Sequence, residues 1–177
     1  MLKLRTFSVA AVGILSLINE GSCASLTIEK MGDILNYALP AYAAGMTIRD
    51  DDYSGIRQLA YSWTATQITI SELQKAVAEP RPNGGKNGFP SGHAGSAFSG
   101  ATFIHKRYGY KKAIVPYILA GFVGYSRVQA RWHYAHDVLA GAAIAGLYTW
   151  AFVDSESTIV SVSADTSGAR LDFNVKF

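Results

Sequence analysis

Residues 126–137 read SRVQARWHYAHD, and this stretch, together with PSGH at residues 90–93, determines how the rest of the chain can be organised. His133 and Asp137 are four residues apart, so on a helix they lie on the same face. A carboxylate bound to one ring nitrogen fixes the histidine tautomer and leaves the lone pair of the other nitrogen free for attack. The pair alone is more typical of a buried histidine satisfied by a nearby acid.

Arg127 favours a catalytic interpretation of this pair. It stands six residues before His133, at the predicted end of the preceding helix, so a short turn brings both side chains to one pocket. A guanidinium binds two phosphate oxygens at once, which lysine cannot do. Arg81 offers a second guanidinium. Fixed cationic donors of this kind stabilise the negative charge of a phosphoryl group in transfer.

The PSGH tetrapeptide supplies the remaining groups. Pro90 and Gly92 shape a tight turn, and Ser91 is a favourable N-cap for a helix that begins here. The free amides of such a helix bind anions, and the Ser91 hydroxyl adds one more donor. His93 would protonate the leaving oxygen as a general acid. Taken alone, the tetrapeptide is explained as well by a helix cap.

Together, Arg81-Pro82, PSGH and the pattern S-R-x5-H-x3-D resemble the three-part signature of the type-2 phosphatidic acid phosphatase/vanadium haloperoxidase superfamily. The resemblance covers about residues 70–150. It implies an all-α helical bundle and a phosphatase that needs no metal or other cofactor, with vanadate as a phosphate mimic. It also implies a role for each site residue: His133 as nucleophile, His93 as acid, Asp137 as orienter, and Arg81, Ser91, Gly92 and Arg127 as phosphate ligands.

One position departs from the family pattern, which has a lysine, six intervening residues and then Arg-Pro. Counting back from Arg81, that position holds Gln74, and Lys75 follows one residue later. One step along a helix turns a side chain by about 100°, so Lys75 is out of register. The phosphate ligand here is Lys75 on an adjusted helix end, Gln74 as a neutral donor, or Lys86 from the loop.

The N-terminus is typical of an export signal. Lys3 and Arg5 precede a short apolar run at residues 6–18, and small residues at 22 and 24 suit a signal peptidase. We expect cleavage after Ala24, which would remove the single cysteine, Cys23. The alternative is a retained N-terminal membrane anchor. The predicted organisation is therefore a signal peptide at 1–24, a helical phosphatase domain at 25–154 and a C-terminal β-hairpin at 155–177.

Hydrophobic patterning predicts the elements of these domains. Helices are expected at 33–46, 58–78, 91–107, 112–128 and 134–152, with strands at 159–164 and 170–177. Three adjacent acids, Asp50 to Asp52, lack the periodicity of cation ligands and are expected in a solvated loop.

The composition limits location and partners. The net charge of +3 includes no basic run of the kind that binds nucleic acid. The apolar runs fall short of the roughly 18 residues of a membrane span. We therefore expect an exported, compact bundle, periplasmic or membrane-associated, with its site outside the cytoplasm. The alternative is an integral inner-membrane protein.

These inferences lead to one main function and three alternatives. The main prediction is a metal-independent phosphatase that hydrolyses phosphomonoesters or pyrophosphates, lipid-linked ones above all, through a phosphohistidine. The alternatives are a broad-specificity exported acid phosphatase, a vanadate-dependent haloperoxidase and a non-catalytic protein that binds anionic lipid. The predicted partners are a phosphorylated lipid or small phosphoester and a membrane surface.

Overall fold

The computed structural model describes residues 28–155, 158–165 and 168–175. Within them the chain forms five helices: α1 Ile28–Arg49, α2 Tyr53–Val77, α3 Gly92–Tyr108, α4 Tyr110–Gln129 and α5 Ala135–Phe152. The prediction of an all-α helical bundle is confirmed. The proposed signal peptide at residues 1–24 lies outside the described residues, and the division into three segments stays a prediction.

Helix α3 is the centre of the bundle, since it packs against α1, α2, α4 and α5. Its buried residues are mostly small, among them Ala94, Ala97, Ala101 and Ser99. Small side chains let neighbouring helices approach closely, so α3 packs on every side. Buried hydroxyls on it are satisfied locally, as where Ser99 Oγ donates to the Gly95 carbonyl at 2.8 Å.

Helix α1 is longer than predicted and runs through Pro40 without a break. Proline usually disrupts a helix interior because it has no N–H to donate. Here α1 lies directly against α3, and a Cβ added at Gly100 would come within 2.7 Å of the Pro40 nitrogen. Only glycine permits this approach of two backbones. Helix α1 is therefore continuous through Pro40 at the point where it packs closely on α3.

The hydrophobic core divides into two clusters along α3. One contains Phe103, Ile104 and Leu59, and the other contains Leu39 and Val123 with the α3 alanines. Burial of each large side chain contributes about 1.5–3 kcal/mol to the free energy of unfolding. These core contacts hold the helices in place. They therefore set the positions of the side chains at the two ends of the bundle.

Asp52 corrects the prediction of a solvated acidic loop. Its side chain is only 10% exposed, and its Oδ1 lies 2.6 Å from Arg107 Nη2. It also accepts hydrogen bonds from the amide of Gly55 at 2.8 Å and the hydroxyl of Tyr108 at 3.1 Å. No local sequence pattern predicts this role, because the partner arginine is 55 residues away. Asp52, Arg107 and Tyr108 are called the distal cluster below.

After α5 the chain forms strands β1 Thr158–Asp165 and β2 Gly168–Val175. They pair antiparallel, with Thr158 opposite Val175 and Asp165 opposite Gly168. Among the described helices, none combines the length and apolar character that a membrane crossing requires.

Candidate active site

The end of the bundle opposite the distal cluster holds a cavity of about 540 Å³. The first turns of α1, the end of α2, the start of α3 and the turn between α4 and α5 surround it. Five of the predicted site residues line this cavity: Arg81, Gly92, His93, Arg127 and His133. The three motifs, which are far apart in sequence, thus meet in one place.

His133 is buried, with 3% of its side chain exposed, and is held at one ring nitrogen. Its Nδ1 lies 2.7 Å from the Gly88 carbonyl oxygen. A carbonyl only accepts, so the proton of a neutral ring is on Nδ1 and the Nε2 lone pair is free. Burial lowers the pKa of His133, as does the charge of Arg81, although the bond to Gly88 and the charge of Asp137 oppose this. A neutral ring is the form that a nucleophile needs.

Asp137 lies behind His133 and outside the cavity lining. Its Oδ2 is 3.4 Å from His133 Nδ1, farther than the Gly88 carbonyl oxygen at 2.7 Å, and accepts the amide of Tyr134 at 2.8 Å. Its own carbonyl accepts the amide of Ser91 at 2.9 Å. Asp137 therefore caps α5 and joins the second motif to the third, while the Gly88 carbonyl makes the shorter contact with the histidine. Its effect on His133 is mainly electrostatic.

Arg127 is almost fully buried, and three acceptors hold its guanidinium. Nη1 donates to Asp33 Oδ1 at 2.7 Å, Nη2 to the Glu29 carbonyl at 2.5 Å, and Nε to Ser126 Oγ at 3.1 Å. Two of these partners lie on α1, which the sequence did not assign to the site. A guanidinium has five N–H groups, so others are left for an anion in the cavity.

His93 faces the same carboxylate, with its Nε2 3.2 Å from Asp33 Oδ1. Burial and the positive charge of Arg127 lower the pKa of His93, and the charge of Asp33 partly opposes them. A bound phosphate dianion would add to the effect of Asp33. The imidazolium form required of a general acid is thus favoured when substrate is present.

Arg81 is held by the glycine-rich loop that follows it. Its Nε donates to the Lys86 carbonyl at 3.0 Å, and its guanidinium carbon lies 5.3 Å from the centre of the Trp132 ring. Ring and loop together fix the side chain at the cavity wall. Lys86 contributes its backbone to this arrangement, while its side chain is exposed and outside the cavity lining.

Two other predicted phosphate ligands lie elsewhere. Ser91 is fully buried and caps α3, where its Oγ accepts the amide of Ala94 at 3.4 Å. Lys75 points to solvent, with its side chain 65% exposed and its Nζ 2.7 Å from Glu72. In its place Gln74 lines the cavity, and its Nε2 donates to the Pro90 carbonyl at 2.8 Å. The end of α2 does not bring Lys75 into the family position, so the offset of about 100° keeps its side chain out of the site.

Sequence reasoning missed the contribution of α1 and of the middle of α2. Glu29, Asp33 and Gln67 also line the cavity. The Nε2 of Gln67 is buried and has no hydrogen-bond partner among the described residues. An unpaired buried donor is costly, so the Nε2 of Gln67 in the cavity wall is open to an acceptor that binds there. The only sequence signal was a polar residue at these positions in otherwise apolar helices.

A second group of side chains meets the distance requirement of a metal site. Atoms of Glu79, His136 and Asp137 lie within 4.8 Å of one another. The Nε2 of His136 is 3.0 Å from one oxygen of each carboxylate, so contact of the imidazole with the two acids accounts for the group. Glu79 and His136 are outside the cavity lining.

Comparisons with known proteins agree with this geometry. The model of the PAP2 superfamily matches residues 7–160. The chain is 35% identical over 147 residues to lipid A 4'-phosphatase of Helicobacter pylori, covering 76% of this chain and 72% of the relative. It is 43% identical over 68 residues to lipid A 1-phosphatase of Porphyromonas gingivalis, covering 36% of this chain and 15% of that relative.

Structure comparison gives the same fold. The crystal structure of Aquifex aeolicus LpxE matches with a TM-score of 0.55 and 19% identity, over 79% of this chain and 92% of LpxE. The relatives are phosphatases, which confirms the predicted enzyme class over the haloperoxidase and the non-catalytic binder. Phosphatases of this kind act without a metal cofactor, as predicted. With its three motifs in one cavity and a family model that matches most of its length, this chain belongs to the PAP2 superfamily.

Proposed function

We propose that this protein removes phosphate from a phosphorylated lipid of the lipid A type through a phosphohistidine on His133. The observation that carries the proposal is the neutral, buried His133, whose free Nε2 belongs to a cavity that two arginines also line. The similarity to lipid A 4'-phosphatase over most of both chains supports the substrate class.

The first step of the proposed reaction is attack of His133 Nε2 on phosphorus. The bond to the leaving oxygen breaks, and that oxygen takes a proton from His93. Arg127, Arg81 and the amides at the start of α3 bind the three equatorial oxygens of the transition state. Water then attacks the phosphohistidine, with His93 now accepting the proton, and phosphate leaves.

The surface near the cavity supports a lipid substrate. Ile34 and Tyr37 on the first turns of α1 are 57% and 67% exposed, and Tyr37 also lines the cavity. Exposed apolar patches of this kind mark interaction with lipid or protein. We propose that this surface rests on a membrane, with the cavity open to the headgroup.

The decisive experiment compares phosphate release from lipid A in mixed micelles by the wild type and by His133→Ala. We expect a loss of roughly a thousandfold or more. The matched control is His105→Ala, because His105 is outside the cavity lining and its Nδ1 meets the Tyr117 hydroxyl at 3.0 Å. Acid-quenched wild type should retain radioactive phosphate and His133→Ala should not. Equal rates for the two histidine variants would refute the proposal.

Membrane association and export need separate tests. Ile34→Ser with Tyr37→Ser should lower co-sedimentation with vesicles of zwitterionic phosphatidylcholine, whereas the exposed control change Lys75→Ser should not. N-terminal sequencing of the protein from fractionated cells tests cleavage after Ala24. A mature chain that begins at Met1 in the cytoplasmic fraction would contradict the proposed export.

A further inference from the structure

Asp33 places a negative charge inside a site that must bind an anion. A single oxygen, Oδ1, lies 2.7 Å from Arg127 Nη1 and 3.2 Å from His93 Nε2. Asp33 lines the cavity and is half-exposed, so the carboxylate faces the space that substrate must enter. It therefore stands beside the histidine that the proposed mechanism assigns to the leaving oxygen.

We infer that Asp33 selects the leaving group, in that it favours phosphate monoesters of alcohols and disfavours diphosphates. This inference rests on the proposed function. Asp33 is a specificity-determining residue in this inference, since it acts on the charge of the group that departs. The alternatives left by the sequence, phosphomonoester or pyrophosphate, are thereby narrowed to the first.

The two substrate classes differ in the charge that they leave beside His93. In a monoester the P–O bond breaks towards an alcohol oxygen, which takes the proton of His93 and departs uncharged. In a diphosphate the P–O–P bond breaks, and the leaving group is a phosphate monoester that remains an anion before and after the step. Only the second leaving group meets the Asp33 carboxylate as a like charge.

Distance makes this repulsion effective. An oxygen that hydrogen-bonds to His93 Nε2 lies about 3 Å from it, and therefore within about 6 Å of Asp33 Oδ1. That separation is shorter than the screening length of about 8 Å at physiological salt. The side chains of His93 and Asp33 are 37% and 47% exposed, so water screens this repulsion less than it would between fully exposed charges. A second phosphate in this position is therefore disfavoured.

The effect of Asp33 on His93 points in the same direction. Burial and Arg127 lower the pKa of His93, and the carboxylate of Asp33 opposes them. An alcohol is a poor leaving group and needs that proton, whereas a phosphate anion departs without it. Asp33 thus supports the step that monoesters require while it opposes the charge that diphosphates bring.

Glu29 provides a matched control one turn earlier on the same helix. It also lines the cavity, but its Oε1 binds Trp132 Nε1 at 2.7 Å and is not among the contacts of His93. Glu29→Gln removes one negative charge from the same cavity and keeps a hydrogen-bond acceptor. Asp33→Asn does the same beside His93. Both variants remove one negative charge from the cavity. Any difference in their substrate preference therefore reflects the position of the charge beside His93.

The test measures kcat/KM for farnesyl monophosphate and farnesyl diphosphate, which share one alcohol, with the full chain in detergent micelles. The wild type should prefer the monophosphate. Asp33→Asn should shift the ratio of the two values at least tenfold towards the diphosphate, and Glu29→Gln should shift it less than threefold. Equal shifts of the ratio in both variants, or an unchanged ratio in Asp33→Asn, would overturn the inference. The ratio remains decisive even if Asp33→Asn lowers the rates with both substrates because Arg127 is less well held.

A binding measurement separates this inference from the proposed function. Trp63 and Trp132 line the cavity, so quenching of their fluorescence reports inorganic phosphate and pyrophosphate. Asp33→Asn should increase the affinity for pyrophosphate at least tenfold relative to the affinity for phosphate. A wild type that hydrolyses no lipid phosphate would refute the function while this result still supports Asp33 as the selecting charge. Parallel changes for both anions would refute the role of Asp33.

Discussion

The two ends of the bundle each carry an arginine that is bound by an aspartate, but the two aspartates differ in how much of the side chain is open to solvent. Arg107 and Asp52 are 9% and 10% exposed, whereas Arg127 is 3% exposed and Asp33 47%. In the distal cluster both carboxylate oxygens are bound by the arginine and a tyrosine. At the active site the arginine is fixed and the carboxylate is half open to solvent.

With the function proposed above, this difference separates a structural pair from a functional one. Breaking a buried pair in which both charges are satisfied is costly, because it leaves one charge buried without a partner. A fixed arginine beside an open carboxylate keeps donors available and places a charge where substrate enters. The chemistry of the two pairs is the same, and access to solvent decides what each one does.

The largest expected effect is at the distal cluster. Arg107→Ala leaves the Asp52 carboxylate buried without its main partner, so the free energy of unfolding should fall by about 3–5 kcal/mol. Urea denaturation followed by circular dichroism measures this. The kcat/KM per folded molecule should stay within twofold, because the cluster is at the other end of the bundle. A large loss of activity in protein that is still folded would break the distinction between the two ends.

Arg127→Lys should have the opposite effect, a large loss of activity with a smaller loss of stability. A lysine keeps the charge but cannot bind two phosphate oxygens in the same plane, so kcat/KM should fall by roughly a hundredfold. The free energy of unfolding should change by less than the loss in Arg107→Ala, since Asp33 is half-exposed and water can solvate it. Steady-state kinetics and urea denaturation of the same sample give both values. A stability loss without a kinetic one would make Arg127 a second structural arginine.

Much of the site could be predicted from sequence because its residues stand at fixed spacing. Arg127 is in the last turn of α4, His133 lies in the short connection that follows, and Asp137 is in the first turn of α5, while His93 is at the start of α3. Such short spacings along the chain bring residues together without knowledge of the rest of the fold. Helix periodicity put Lys75 about 100° from the family position, and the structure leaves it there.

Asp33 and Asp52 could not be predicted because their partners are distant. Asp33 meets Arg127 across 94 residues, and Asp52 meets Arg107 across 55. No local pattern marks an acid that is paired only after α1, α3 and α4 have packed. The tightness of α1 on α3 at Gly100 decides where the first turns of α1 lie, and that contact is not visible in residue spacing.

Gln67→Leu should reduce anion binding by about tenfold, the cost of a lost hydrogen bond to a charged group. Its Nε2 is buried without a partner among the described residues, so a phosphate oxygen would be its acceptor. Tryptophan quenching by inorganic phosphate measures the affinity. Thr69→Val serves as a control, because the Thr69 hydroxyl meets Tyr148 at 2.7 Å and not the cavity. Unchanged affinity in Gln67→Leu would leave Arg127 and Arg81 as the anion ligands on this wall.

Acidification should affect the distal cluster through Asp52. Burial raises the pKa of this carboxyl, but hydrogen bonds from Arg107, Gly55 and Tyr108 outweigh it and hold the pKa below its usual value. A carboxyl with a lowered folded-state pKa stabilises the fold above its unfolded pKa of about 3.9, and this contribution is lost as pH falls through the folded value. The free energy of unfolding should therefore drop below about pH 4 in the wild type, and less steeply in Asp52→Asn. Identical slopes would show that other carboxyls dominate.

The smallest expected effect distinguishes two neighbours on α2. Gln74 lines the cavity and donates to the Pro90 carbonyl, whereas Lys75 pairs with Glu72 in solvent. Gln74→Ala should lower kcat/KM by about tenfold, since it removes both a donor in the site and a support of the α3 start. Lys75→Ala should change kcat/KM by less than twofold, because exposed ion pairs contribute little. If Lys75→Ala instead reduces activity while Gln74→Ala does not, the end of α2 rotates when substrate binds, and the lysine of the family pattern is recovered in the complex.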